Sequence, residues 1–405
     1  MKTFIGLCGT CFLVILAIGF IFFSKNPSTY VSSSLRDAPE FSSEKYADIT
    51  LENCSLAPDK ISCYEKGVLE FMDRNSMEEA FGITKIIQDR DSSYGYCHSL
   101  GHRLGGKETA KNPPQWFEVL SRCPPSGICS SGCMHGVFQQ RFRSSVLSDD
   151  ETELLKADLK KACEPRVSWN PTGLEQGICY HGIGHLLLYA MRADIPRSLQ
   201  ICDEVAITSD GGDYRIVCYE GMFMQLFQPQ EAEDFALITG IAPKKEQMRN
   251  FCKEFRGTEK QEACWREGWI FFHEEVKTPQ GLKKFCSFPS SSDNKTRCYD
   301  MVFHMLAQSS QFDEESWVGY CDGMYREHKA QCFLNGALAL MQADKRFVGR
   351  AVALCSREEI LEECYNGLIE DAPYYFHKGS EEFSRFCNAL PKVWRSKCFA
   401  KEAIL

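Results

Sequence analysis

Ala351-Val-Ala-Leu-Cys355-Ser-Arg-Glu-Glu-Ile360-Leu-Glu-Glu-Cys364-Tyr-Asn-Gly-Leu-Ile369 carries the pattern on which most of the chain is built. Apolar residues and cysteines recur three or four apart on both sides of Ser356-Arg-Glu-Glu359, so a helix face lies on each side of a turn that contains a helix start. The unit is a helical hairpin. Helix A ends at the first cysteine, a short loop follows, and helix B begins near the second. A bridge across a loop of about ten residues contributes roughly 2–4 kcal/mol, chiefly by restricting the unfolded hairpin.

The same couple recurs as Cys54 with Cys63, Cys123 with Cys133, Cys163 with Cys179, Cys202 with Cys218, Cys252 with Cys264, Cys286 with Cys298, Cys321 with Cys332, Cys355 with Cys364 and Cys387 with Cys398. From Cys264 onward the second members lie 34, 34, 32 and 34 residues apart, and a fixed period of that size marks a helical repeat array. The helix expected over Met77–Asp89 ends without a cysteine, which leaves Cys97 without a hairpin partner. Cys129 is the other cysteine left over, and the spacing predicts a bridge from Cys97 to Cys129 between adjacent repeats. A metal-bound thiolate pair is the competing use. Two of the 22 cysteines lie in the N-terminal apolar run, and the remaining twenty form an even set, as a disulfide framework in an oxidising compartment requires.

By its period and hairpin pattern the chain resembles the tetratricopeptide and Sel1-like class of helical solenoids over residues 44–405. The resemblance implies a right-handed superhelix with a concave face lined by one helix set, and it implies no activity. The expected fold is all-α: disulfide-stapled α–α hairpin repeats forming a superhelical solenoid, after an N-terminal transmembrane helix. The aromatic residues that follow the B-helix cysteines, Tyr180, Tyr219, Trp265, Tyr299 and Phe333, are expected to fill the gaps between stacked repeats.

Phe4 to Phe23 form an apolar run long enough to span a bilayer, introduced by Lys2. Residues 1–25 read as a signal anchor and 26–43, rich in Ser, Pro and charge, as a linker. Residues 44–230 read as N-terminal repeats holding a histidine-rich site and 231–405 as C-terminal repeats. The division falls where Gln228-Pro-Gln-Glu-Ala-Glu-Asp234 interrupts the period. The expected location is membrane-anchored with the bulk of the chain extracytoplasmic, whether periplasmic, extracellular or lumenal. A chain that is 44% apolar and 12% aromatic excludes general disorder, and a net charge of -9 without a basic run argues against a nucleic-acid partner.

The chemistry is concentrated in Cys179-Tyr-His181-Gly-Ile-Gly-His185, the fullest copy of a recurrent phrase. Other copies are Cys97-His98-Ser-Leu-Gly-His102 and Cys133-Met-His135-Gly136, with altered ones at Cys218-Tyr-Glu220-Gly221 and Cys298-Tyr-Asp-Met-Val-Phe-His304. His98 with His102, and His181 with His185, are each four apart, which puts both rings of a pair on one helical face within reach of a single ion. His98, His135 and His181 are expected in or near the first turns of their helices, where the positive dipole end holds imidazole neutral. Packed helices lie about 8–10 Å apart, so the first and third B helices of a straight stack are too far apart to share one ion. Either the array curves strongly, with Glu220 and His304 completing a ring, or there are two sites. The glycines three residues after the B-helix cysteines, Gly136, Gly182, Gly221 and Gly367, are expected where neighbouring helices approach closely.

Several imidazoles point to Zn, Cu or Fe, and Met134, Met222 and Met224 keep copper in play. The HExxH motif of zinc proteases is absent, as is CxxCH for covalent haem. The function expected is extracytoplasmic metal binding, in an enzyme or in metal capture, through His98, His102, His135, His181, His185 and His304, with Glu220 as ligand or base. The alternative is a membrane-anchored scaffold that holds a protein or peptide on its concave face, its histidines structural. Ligand nitrogens that converge within about 4 Å of a point favour the first, and dispersed histidines the second.

Overall fold

The computed structural model describes residues 42–402, apart from positions 92, 95–96, 125–127, 143–147, 168, 230–231, 290 and 311. The expected signal anchor over 1–25 and nearly all of the linker lie outside the described residues. Among the described residues no helix is long and apolar enough to cross a membrane.

The protein is all-α. Hairpins are formed by α1 (Ser43–Cys54) with α2 (Lys60–Met72), α3 (Met77–Arg90) with α4 (His98–Lys111), and α5 (Trp116–Arg122) with α6 (Gly132–Phe142). Next come α7 (Asp149–Ala162) with α8 (Gly173–Ala190), α9 (Ile195–Val205) with α10 (Arg215–Phe227), and a short α11 (Ala232–Ile238). Beyond it α12 (Met248–Lys253) pairs with α13 (Thr258–Glu267), and after α14 (His273–Val276), α15 (Pro279–Phe285) pairs with α16 (Ser292–Ser309). The chain finishes with α17 (Glu314–Asp322) and α18 (Arg326–Ala343), α19 (Val348–Leu354) and α20 (Leu361–Tyr375), and α21 (Glu381–Ala389) and α22 (Lys392–Glu402). Extended pairing among the described residues is confined to two isolated bridges, Arg166 with Trp169 and Ile207 with Asp213.

Ten disulfides join the cysteines from Cys54 onward in the couples that sequence spacing suggests. Nine lie within hairpins: Cys54 to Cys63, Cys123 to Cys133, Cys163 to Cys179, Cys202 to Cys218, Cys252 to Cys264, Cys286 to Cys298, Cys321 to Cys332, Cys355 to Cys364 and Cys387 to Cys398. The tenth, Cys97 to Cys129, joins two hairpins and excludes the thiolate pair. Hairpin bridges span 9 to 16 residues of chain, in the range where each contributes roughly 2–4 kcal/mol. Cys332 is fully buried between its helices, whereas Cys63, near the N-terminal end of the array, is only half-buried. Tyr180, Tyr219, Trp265, Tyr299 and Phe333 are all buried behind their cysteines.

Helix starts are set by side chains that accept from otherwise orphaned N–H groups. Ser76 with Glu79, Ser148 with Glu151 and Thr172 with Glu175 form reciprocal capping boxes at α3, α7 and α8. The box at Thr172 starts α8 well ahead of Cys179. His181 therefore lies deep inside its helix, not in the first turn as its distance from Cys179 suggests, and the dipole argument does not reach it.

Each B helix packs on the next, and the later ones return to the earlier. α20 packs against α8, where Gly173 and Gly177 leave bare backbone for the Tyr374 ring. Lys345 pairs with Glu175 at 3.1 Å, and Arg346 with Asp89 at 2.5 Å, tying the C-terminal hairpins to the N-terminal ones. Buried apolar residues from Tyr46 to Cys398 form one continuous core that crosses position 230.

Candidate metal centre

Two close helix contacts of one design position the histidines. A Cβ on Gly105 would collide with the carbonyl oxygen of Cys133, and one on Gly136 with that of His102, so α4 and α6 meet backbone to backbone. The same pair of collisions recurs between α8 and α10, at Gly184 with Cys218 and at Gly221 with His181. In sequence both contacts read His-x-x-Gly on one B helix (His102-Arg-Leu-Gly105, His181-Gly-Ile-Gly184) against Cys-x-x-Gly on the next (Cys133-Met-His-Gly136, Cys218-Tyr-Glu-Gly221). Glycine is needed at these four positions for lack of space. At Gly182 and Gly367 the close neighbours are side chains, His135 and Leu334 respectively.

His98, His102, His135, His181 and His185 form one contiguous cluster. The Nε2 atoms of His98 and His102 are 3.1 Å apart, and one ligand nitrogen from each of His98, His102 and His135 lies within 4.8 Å of the others. Two imidazoles on one zinc ion, bound at about 2.0–2.1 Å in a tetrahedral arrangement, have nitrogens roughly 3.3–3.4 Å apart. His135 sits between the two pairs, its ring centroid 5.2 and 5.1 Å from His98 and His102, and 5.7 and 4.9 Å from His181 and His185. A small void of about 10 Å³ lies beside His102, His135 and His185, room for one water-sized body.

The outer rings are oriented from behind. His98 Nδ1–H donates to the Cys129 carbonyl (3.3 Å) and His185 Nδ1–H to Gln225 Oε1 (2.8 Å). His102 is hydrogen-bonded to the Gln139 side chain and His181 to the backbone of Val217. Such bonds fix which nitrogen carries the proton and which offers a lone pair. The exceptions lie inside the cluster: His185 Nε2 and both nitrogens of His135 are buried without a hydrogen-bond partner.

Burial holds the rings neutral. It pushes His102, His135 and His185 well below the ordinary imidazole range, helped by the neighbouring rings, and His181 down to about 4. Neutral imidazole is the ligating form, and desolvation supplies it where the dipole of α8 does not.

His304 stands apart on α16. It lines a cavity of about 380 Å³ that His98, His135 and His181 also reach, and its Nε2 accepts from Gln308 at 3.0 Å. Glu220 lines the same cavity, but Arg266 holds its carboxylate at 2.6–2.8 Å. Beside this pair Glu267 is 4% exposed with Oε2 unpartnered, and burial followed by the Glu220 charge drives its carboxyl well above the usual range. Of the methionines noted, Met134 and Met222 are buried in the core, while Met224 Sδ lies 3.4 Å from His181 Nε2. His102 lines a second hollow of about 430 Å³ with Arg103, Lys107 and Gln139.

Sequence reasoning missed Gln139, Gln225, Arg266 and Glu267. The glutamines left a faint signal, lying six and seven residues after Cys133 and Cys218. Arg266 and Glu267 follow the cysteine of a copy that carries no histidine and gave none. No protein-family model, curated protein or solved structure matches the chain.

Proposed function

We propose that this is a metal-binding helical-repeat protein whose centre is built from His98, His102 and His135, with His181 and His185 beside it. The observation that carries the reading is the convergence of His98 and His102 from α4 on His135 of α6, which is buried with neither nitrogen partnered. As a bare scaffold the protein would bury those nitrogens unsatisfied, at about 1–3 kcal/mol for each group, and this favours the metal over a purely structural role. Zn, Cu and Fe all accept such a donor set, and the thioether of Met224 next to His181 favours copper.

Three imidazoles with the remaining position open to a cavity is the pattern of catalytic rather than structural sites. We therefore take the centre as that of a metalloenzyme acting on a small polar molecule held in the cavity. There the Glu220–Arg266 pair and the buried carboxyl of Glu267 line the same cavity as the histidines. An ion bound in this way supplies Lewis-acid chemistry, and with Cu or Fe electron transfer as well. Glu220 serves here as Arg266's partner rather than as a ligand.

In the same reading the hairpins form a solenoid curled until α20 meets α8, the B helices facing its inner side. The disulfide density supports an oxidising, extracytoplasmic compartment.

The test is metal content by mass spectrometry on the oxidised full-length chain, purified without chelator or affinity metal, beside a His98→Ala/His102→Ala variant. Near-stoichiometric metal that is lost in the variant supports the reading. A protein that arrives empty and takes up no added Zn, Cu or Fe overturns it.

A further inference from the structure

We infer that the large cavity beside the histidines takes a small organic amine, its ammonium group received by Glu267. The inference deepens the reading above by naming the substrate class of that same cavity, and it rests on that reading for placing a reaction there.

Both guanidiniums that line the cavity, Arg266 and Arg297, are already engaged by acid. Arg266, its side chain 3% exposed, holds Glu220 at 2.6 Å. Arg297 acts on Asp300 and Glu262. Around these two cations stand four carboxyls, those of Glu220, Glu262, Glu267 and Asp300. Acid is therefore in surplus. His304, pushed down to about 4 by burial, adds no positive charge, and Asp371, near enough to Asp300 to feel its charge, enlarges the surplus.

Glu267 is where that surplus is left unmet. Glu220 accepts from Arg266, Glu262 from Asn294 at 2.8 Å, and Asp300 from Gln331 and Asn335 at 2.9 and 2.7 Å. Glu267 lines the cavity and is 4% exposed, yet its Oε2 meets no hydrogen-bond partner. A polar group buried in this way is costly until a partner arrives. Burial, followed by the Glu220 charge, keeps the carboxyl well above the usual range, and an ammonium beside it both favours the ionised form and donates to the open oxygen. An anionic ligand would meet the surplus of acid instead, and a neutral one would leave it unbalanced.

The remaining lining sets the body of the ligand. Ile178, Ile216, Met301 and Met305 present hydrocarbon and thioether surface, so the amine carries an apolar group. A cavity of about 380 Å³ suits a single small molecule.

Butylamine and 2-phenylethylamine are the probes, each beside the alcohol and the carboxylate of matching length. They are titrated calorimetrically, at neutral pH, into the oxidised full-length chain after its metal has been removed by chelation, which keeps direct coordination of the amine out of the measurement. Each amine should bind roughly 10–100-fold more tightly than its alcohol. Glu267→Gln keeps the shape, removes the charge and should abolish that preference, while the wild-type ranking stands whether or not the variant folds. An alcohol or carboxylate that binds as well as its amine, or no binding by any probe, overturns the inference, as does an amine preference that survives Glu267→Gln. Metal content of the same preparation before chelation decides the metal-binding reading separately. A chain that arrives empty, takes up no added metal and still prefers the amine supports the amine site and overturns only the metal.

Discussion

The backbone carbonyl of His102 presses on Gly136 with no room for a Cβ between them. This contact brings α4 against α6 and thereby sets the His102 ring beside His135, at a centroid distance of 5.1 Å. Its counterpart at Gly221 and His181 joins α8 to α10 and sets His181 beside Met224.

Gly136→Ala and Gly221→Ala should therefore each cost at least about 1–3 kcal/mol, because backbone has to move. Gly136→Ala should also weaken metal binding by displacing His102. Gly82→Ala is the control. That site in α3 has nothing within 4 Å of an added Cβ, and the change should be neutral or stabilising by up to about 1 kcal/mol. Urea unfolding of the three variants tests the ranking.

Gln225→Leu removes the acceptor of His185 Nδ1–H and leaves that nitrogen buried and unmet, at about 1–3 kcal/mol. Loss of such an orienting partner lowers metal affinity about 10–100-fold. Gln225→Glu, which keeps an acceptor oxygen, should restore most of the affinity in competition titrations.

Cys129 links two features, its bridge to Cys97 and its carbonyl to His98. Replacing both Cys97 and Cys129 by Ala should cost roughly 2–5 kcal/mol and reduce metal binding. The same replacement at Cys387 and Cys398, far along the chain from the histidines, should cost a similar amount of stability and leave metal content unchanged. Equal metal loss in both would mean that binding follows overall stability instead of the local bridge.

The pH dependence of the metal-free protein has a worked sign. His181 titrates near 4 when folded and near 6.5 when unfolded. As pH falls below about 6.5 the unfolded chain takes up the proton first, so the stability contributed by the neutral ring is full above 6.5 and is lost toward 4. Glu267 and Asp371, the latter pushed up to about 6 by burial, act with the opposite sign. The clean comparison is with His181→Gln, which should reduce the acid sensitivity of the unfolding free energy, read from urea titrations, by up to about 1.4 kcal/mol per pH unit between 6.5 and 4.

Met224→Leu keeps the volume and removes the sulfur beside His181 Nε2. Copper(I) affinity should fall while zinc affinity changes little, measured by competition with chelators of known strength.

Much of this was open to sequence reasoning because it is local. Cys355 to Cys364 closes one turn, and the periodicity around that turn is carried by adjacent residues, so hairpins, bridges and helix type follow from spacing. Even Cys97 with Cys129 followed from what the other couples left over. His98 and His102 were likewise legible as a pair because four residues separate them on one helix. The start of α8 was misjudged because Thr172 and Glu175 cap it far upstream of the cysteine, a local signal that the recurrent phrase obscured.

The sequence by itself determined the hairpins, their staples, and which residues carry imidazole. The tertiary structure alone decided that all five rings come into one cluster, that Arg266 holds the Glu220 carboxylate, and that α20 closes on α8. Those relations depend on the angle and separation at which helices pack. These are set by missing glycine side chains and by buried ion pairs such as Lys345 with Glu175, partners 170 residues apart that no repeat period connects.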